Sequence, residues 1–173
     1  MQINVAQLLK WLVGTTRIYP IDVDGPLMLD ETMAAGLASG RVRLDRIDTG
    51  ILGRGDIDCT VNLECSRCLE PYQAALPVHF EEEFAPSIEV NTGAPLPPPE
   101  DELVFIIDPN HVLDLSEAIR QNIIAALPIQ PICKSECAGL CPVCGGNRNL
   151  NPCTCADHQD DDRPFAVLTG LLH

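Results

Sequence analysis

The sequence predicts an α+β protein: an antiparallel β-sheet meander packed by a few short helices, with a cysteine-rich zinc-binding segment toward the C-terminal end. Three observations lead there. Ile57, Cys59, Val61 and Leu63 alternate with Asp56, Asp58, Asn62 and Glu64, and Ala74, Leu76, Val78 and Phe80 alternate with Gln73, His79 and Glu81. Period-two runs of this kind are half-buried strands, and two of them joined by a short turn read as a hairpin. Leu115, Ile119, Ile123 and Leu127 recur at helical spacing. Finally, eight of the nine cysteines fall into four close pairs.

In chain order, Asn4 reads as the N-cap of a short helix with Val5, Leu8, Leu9 and Leu12 on one face, ended by Gly14. Thr15 to Asp24 is β-like and Gly25-Pro26 breaks it. Residues 27 to 39 carry no clear pattern. Arg41 to Thr49 reads as a strand, followed by a glycine-rich turn from Gly50 to Gly55. The hairpin of 56–64 and 73–84 comes next, with Cys65 and Cys68 at its tip. Pro86 to Asp101 reads as a solvated connector rather than a polyproline ligand for a recognition domain. Leu103 to Ile107 is a short buried strand. Asp114 and Glu117 form a capping box for the helix 115–127, which Pro128 and Pro131 stop. An acidic stretch (Asp157, Asp160, Asp161, Asp162) precedes a short apolar helix opened by Pro164. The organisation expected is an α+β core over 1–131, holding the Pro-rich loop 86–101, and a zinc module with the last helix over 132–173.

A structural zinc site takes four thiolates, commonly as two short-spaced pairs, because one tight turn aims two sulfurs at one ion. Cys65/Cys68, Cys133/Cys137, Cys141/Cys144 and Cys153/Cys155 supply ligands for two such Zn²⁺ sites. Leu140-Cys141-Pro142-Val143-Cys144-Gly145-Gly146 is the sharpest segment: proline sets the turn and the glycine lets backbone amides approach the sulfurs. Four pairs allow three partitions. Cys141/Cys144 with Cys153/Cys155, leaving Cys65/Cys68 for Cys133/Cys137, needs one long-range closure and uses every pair. The alternative is a single site with the other cysteines free. Cys59 lies on the apolar face of its strand and reads as a small buried hydrophobe. His158 reads as solvated rather than as a substitute ligand. A catalytic zinc keeps an open position and usually takes histidine or carboxylate ligands, so all-thiolate donors argue against hydrolysis. Cys65/Cys68 as a redox pair, with Arg67 lowering a thiol pKa, lacks the βαβ setting of that chemistry. The Glu81-Glu82-Glu83 run reads as a solvated strand edge.

The charge narrows the partners. With 25 acidic against 11 basic residues the chain carries −14 at neutral pH, which repels phosphate backbones and attracts basic proteins. Gln7 and Lys10 interrupt the opening apolar stretch, so no signal peptide is read there. No run approaches the ~18 apolar residues of a membrane span. A reducing, cytoplasmic setting, where thiolate–metal sites outnumber disulfides, is therefore expected. Hydrophobic residues make up 46 % but aromatic ones only 4 %, so the core is aliphatic and thin.

Several segments together resemble the YceD family, known as large ribosomal RNA subunit accumulation proteins of bacteria and plastids. They are Leu63-Glu64-Cys65-Ser66-Arg67-Cys68-Leu69, Ala126-Leu127-Pro128-Ile129, Cys137 through Gly145, Asn147-Arg148-Asn149 and the tail Pro164 to Leu168. The family's usual Asp-Pro-Arg before the last helix stands here as Asp162-Arg163-Pro164. The resemblance implies a cytoplasmic, non-enzymatic factor for 23S rRNA accumulation or processing in large-subunit assembly. Combined with the charge, it predicts action through a basic ribosomal protein or an assembly intermediate. The alternatives are direct RNA contact through Arg41, Arg43, Arg46 and Arg54, and thiol redox chemistry at Cys65/Cys68.

Overall fold

Ile51 to Glu64 alternates buried and outward residues along its length, and this one strand organises the fold. The computed structural model describes residues 1–23, 27–29 and 34–157. Within them the strands are β1 (Gln2–Asn4), β2 (Thr16–Val23), β3 (Leu27–Met28), β4 (Ala34–Arg46), β5 (Ile51–Glu64), β6 (Pro71–Pro86), β7 (Phe105–Ile107) and β8 (Val112–Asp114). Helices α1 (Ala6–Lys10) and α2 (Ser116–Ala126) and a 3-10 turn at Thr154–Asp157 complete the described elements. The molecule is α+β as expected, with the main sheet ordered β2-β4-β5-β6-β7 and β3 beside β4.

Pairings are antiparallel from β2 through β4 to β5. Side chains linking β5 to β6 run in opposite directions, Arg54 to Glu81, Asp56 to His79 and Cys59 to Leu76, so this hairpin is antiparallel as well. Only the outermost described pair departs from the meander: β7 lies parallel to β6, Phe84 opposite Phe105. β1 and β8 form a separate two-stranded ladder, Ile3 opposite Leu113.

Two compact units are distinguishable. Of the described residues, one comprises those of Met1–Leu63 and Gln73–Ile129; the other comprises Glu64–Tyr72 and those from Gln130 to Asp157. The first is an aliphatic core with Val42, Leu44, Ile51, Phe84, Leu113 and Ile119 at its centre.

The glycine-rich turn expected at 50–55 is shorter than that. Ile47 to Gly50 makes the turn, and Gly53 and Gly55 lie inside β5. They are glycine because aromatic rings cover them. A Cβ on Gly55 would stand 2.0 Å from Phe80 Cε1, and one on Gly53 would stand 3.0 Å from Phe84 Cε2. β4 also begins well before Arg41, in a stretch without sequence pattern.

Helix α1 is shorter than its periodicity suggests. Leu12 is fully outside it and exposed, because Gly14 turns at φ 89° and its N–H bonds Arg46 O, starting β2. The capping box on α2 does not close. Asp114 accepts from the Ser116 N–H at 2.8 Å, while Glu117 turns to Arg120 and Gln121 instead of reaching back. Helix α2 buries Ala118, Ile119 and Ile123, and Asn122 donates to Glu82 on the inner side of β6. Leu127 is extended ahead of Pro128, as a residue before proline prefers. Leu103 and Ile106 are exposed, so only Ile107 of the expected buried strand is interior.

The Pro-rich connector is tied down. Glu89 N–H bonds Ala94 O and Leu96 N–H bonds Ser87 O, while the Glu89 carboxylate accepts from the amides of Asn91 and Thr92. Those contacts hold the Glu89 carboxyl at about 2. The final helix from Pro164, His158 and Asp160 to Asp162 lie outside the described residues.

Candidate metal centre

The turns at Cys65 and Cys141 are the same structure built twice. In one, Leu69 N–H bonds Cys65 O and Cys65 N–H bonds Glu70 O; in the other, Gly145 N–H bonds Cys141 O and Cys141 N–H bonds Gly146 O. The residue after the second cysteine is left-handed in both, Leu69 at φ 59° and Gly145 at φ 69°. The turn also aims amides at the first sulfur of each pair: those of Arg67 and Cys68 at Cys65, those of Val143 and Cys144 at Cys141. Glycine satisfies this geometry without strain, whereas leucine adopts it at a cost.

The eight paired cysteines gather into two quartets, Cys65/Cys68/Cys133/Cys137 and Cys141/Cys144/Cys153/Cys155, with the four sulfurs of each within 4.8 Å of one another. Ser66 anchors the first quartet, its N–H and hydroxyl both bonded to Pro131 O. Cys65, Cys68 and Cys137 are buried there, with Tyr72, Ile132 and Cys133 packed around them. The second is more open: Cys141 is buried, Cys144 exposed, and the 3-10 turn carries Cys155. Either quartet could hold a metal ion. A tetrahedral thiolate site with metal–sulfur bonds near ~2.3 Å has sulfur–sulfur edges of about 3.8 Å. Cys65 Sγ stands 3.8 Å from Cys137 Sγ, and Cys68 Sγ stands 3.8 Å from Cys133 Sγ. Both spacings in the first quartet match such an edge, and all four sulfurs of each quartet lie within 4.8 Å of one another.

Electrostatics within each quartet are divided. The Cys133 N–H, helped by those of Arg67 and Cys68, draws the Cys65 thiol down to about 6. Burial pushes Cys133 up to about 12, and the neighbouring sulfurs add to it. At Cys68 the Glu70 N–H favours the thiolate, but burial and adjacent sulfurs outweigh it and raise the thiol. At Cys137 burial opposes ionisation, yet the Gly139 N–H and the Asn149 amide hold it below its ordinary value. In the second quartet the Cys144 and Val143 amides draw Cys141 down to about 6, while the Cys144 sulfur and burial lift Cys155 to about 11. Four thiolates this close repel one another, and a divalent cation among them removes the repulsion.

The surroundings of the sulfurs include residues to which the sequence assigns no role. Asn149 Nδ2 donates to Cys137 Sγ, and Asn149 Oδ1 accepts from the Ala138 N–H. Asn147 Oδ1 accepts from the Asn149 side chain, while Asn147 Nδ2 reaches Glu70. Leu140 N–H bonds Arg67 O, and a side chain at Gly139 would press on that same carbonyl at 3.1 Å. The Asn147-Arg148-Asn149 segment therefore ties the Cys65 turn, through Glu70, to the Cys137–Gly139 stretch. The sequence marks this segment through the family resemblance and its place beside the cysteines, but not through this bracing role.

Other sequence-derived candidates fall as follows. Cys59 is buried, its thiol raised by burial, with Sγ 3.5 Å from Leu76 O and outside both quartets. The Arg67 guanidinium goes to Cys137 O at 3.2 Å. Arg43 and Arg54 both grip Asp45, at 2.8 Å each, and Arg54 also holds Glu81 at 2.7 Å. Arg46 is spent on the carbonyls of Leu9, Ile47 and Gly50. Three of the four arginines considered for RNA contact are thus engaged within the protein. Among the described residues no helix is long and apolar enough to cross a membrane.

Comparison with known proteins gives the same direction. Residues 53–172 match the family described as Large ribosomal RNA subunit accumulation protein YceD. The chain is 31 % identical over 131 residues to the uncharacterized protein Rv2926c of Mycobacterium tuberculosis, covering 76 % of this chain and 60 % of the relative. It is 28 % identical over 136 residues to an uncharacterized protein of Mycobacterium leprae, covering 76 % and 57 %. The chain thus spans about three fifths of these relatives' length. A segment of 72 residues is 36 % identical to the Arabidopsis thaliana protein named Large ribosomal RNA subunit accumulation protein YCED homolog 1, chloroplastic, over 42 % of this chain and 22 % of that one. No solved structure matches. A match running from within β5 through both cysteine turns covers well over half the chain, and the chain belongs to the YceD family.

Proposed function

We propose that the chain is a non-enzymatic ribosome-biogenesis factor that supports 23S rRNA accumulation and large-subunit assembly by binding a basic ribosomal protein, or an assembly intermediate carrying one. The family match over residues 53–172 carries this reading. Charge supports the indirect route: the chain bears −14, and Arg43, Arg46 and Arg54 are occupied internally. An acidic surface attracts cationic proteins and repels phosphates. The place of action is the cytoplasm.

Zinc is the metal assigned to both quartets, with Cys65, Cys68, Cys133 and Cys137 holding one ion and Cys141, Cys144, Cys153 and Cys155 the other. Bound zinc would supply folding energy to a unit whose interior is largely sulfur. Four thiolates leave no open coordination position, which supports a structural role.

Depletion in cells is expected to lower 23S rRNA relative to 16S rRNA, and charge reversal on the acidic surface to reproduce the loss. An unchanged ratio with an unchanged subunit profile would sink the proposal. Affinity for RNA alone that falls steeply with salt, in the absence of a protein partner, would favour direct RNA contact instead.

A further inference from the structure

An open groove of about 620 Å³ lies in the sheet-bearing unit, well away in sequence from the cysteines. Its volume is in the range of ligand sites. Leu9, Ile88, Leu96, Val104 and the prolines 97 to 99 give it an apolar lining. Asp48, Glu83, Glu89, Glu100 and Asp101 also line it, against the single cation Arg46. That arginine is already committed to three backbone carbonyls. Consecutive prolines offer carbonyl acceptors and no N–H donors, so the proline wall adds acceptors to the carboxylates. The hydrogen bonds between Ser87 and Leu96 and between Glu89 and Ala94 fix the residues that lead into this wall.

An occupant must therefore bring donors and positive charge together with apolar side chains. A phosphate-bearing chain is repelled by five carboxylates, and an acidic or neutral peptide leaves them uncompensated. We propose that this groove binds an extended segment of a basic protein in which lysine or arginine side chains alternate with aliphatic ones. The proposal rests on the reading above that the partner is a basic protein, and it assigns where on this chain that partner is held. The aliphatic side chains fill the apolar lining while the cationic ones reach the carboxylates at the rim, so both chemistries are needed at once.

The test uses the full chain purified without chelator and three probes: a synthetic peptide of alternating lysine with leucine or valine, a lysine homopeptide of equal charge, and oligouridine. The mixed peptide is expected to bind at least ten-fold more tightly than the homopeptide, more weakly as salt rises, and to shift the amide resonances of Thr49, Val90, Leu96 and Val104. The double substitution Asp48→Lys with Glu100→Lys, at two exposed positions, is expected to weaken it at least ten-fold. Leu96→Ser, which leaves charge unchanged, is expected to weaken the mixed peptide but not the homopeptide. Equal binding of the two peptides, oligouridine added alone shifting the same amides, shifts centred on another surface, or affinity unmoved by both variants would each overturn the groove. The wider reading is judged separately by the 23S-to-16S ratio in depleted cells. A double variant that restores that ratio fully would remove the groove and leave the wider reading standing.

Discussion

Asn149 Nδ2 donates to Cys137 Sγ at 3.4 Å while Asn149 Oδ1 accepts from the Ala138 N–H. One side chain thus fixes both the sulfur and the backbone that carries it. Partners of this kind orient ligands, and their loss typically weakens metal affinity ~10–100-fold. Asn149→Asp keeps the acceptor and removes the donor. It is expected to speed metal loss from the first quartet, followed by chelator competition, and to leave the second quartet unaffected. Unchanged release kinetics would show that Asn149 only packs.

Elemental analysis of protein purified without chelator is expected to give two zinc ions per chain. Cys141→Ser should leave one, with local loss of order around residues 139–157. Cys59→Ser should keep both ions and lower stability by about 1 kcal/mol, since a buried thiol is replaced by a hydroxyl. A count of one ion in the unmodified protein would collapse the two-site assignment.

Leu69 and Gly145 occupy matching places in the two cysteine turns, at φ 59° and 69°. A left-handed conformation costs a non-glycine residue roughly 1–2 kcal/mol, partly offset by glycine's greater unfolded-state freedom. Gly145→Ala is expected to destabilise by about 1 kcal/mol even though the added Cβ meets no atom within 4 Å. Leu69→Gly, at an exposed position, is expected to be neutral or slightly stabilising. Denaturant titration of the metal-loaded chain checks both. A marked loss in Leu69→Gly would mean the leucine side chain makes a contact worth more than its strain.

Asp45 is nearly buried, and burial alone would raise its pKa. Hydrogen bonds from Thr16 and Arg43 and the charges of Arg43 and Arg54 reverse that and hold it below the ordinary carboxylate value. A depressed folded pKa means the group stabilises the fold above its unfolded pKa. That contribution is lost as pH falls through the lower folded value. Asp45→Asn is expected to cost about 1–3 kcal/mol at neutral pH. The gap to the unmodified protein should narrow as pH falls below about 4. Comparing the two proteins at each pH cancels any acid-driven metal loss common to both. A gap independent of pH would show that the charge of Asp45 is not what stabilises the fold.

Short-range patterns made much of the molecule readable. The alternation from Ile57 to Leu63 produced β5 and the spacing of Ile119 and Ile123 produced α2, because burial on one face of an element imposes its period on the chain. The four cysteine pairs were legible for the same local reason, since a tight turn places two sulfurs together. What contacts between distant residues decided was not legible. Gly53 and Gly55 read as a turn until Phe84 and Phe80 are found over them. Glu117 reads as a cap until Arg120 and Gln121 claim it. Arg43 and Arg54 read as a basic patch until Asp45 and Glu81 neutralise them. The Pro-rich connector stays largely exposed as read, but the bond from Leu96 N–H to Ser87 O and the pairing of Glu89 with Ala94 fix its course in a way the sequence does not show. By itself the sequence determined the central hairpin, the main helix, the acid charge and the inventory of thiols, because each is a property of neighbouring residues. The favoured partition of the cysteine pairs is the one the sulfurs adopt, but tertiary structure alone decided which charges are spent and where a groove is left open, because those depend on which distant segments share the same space.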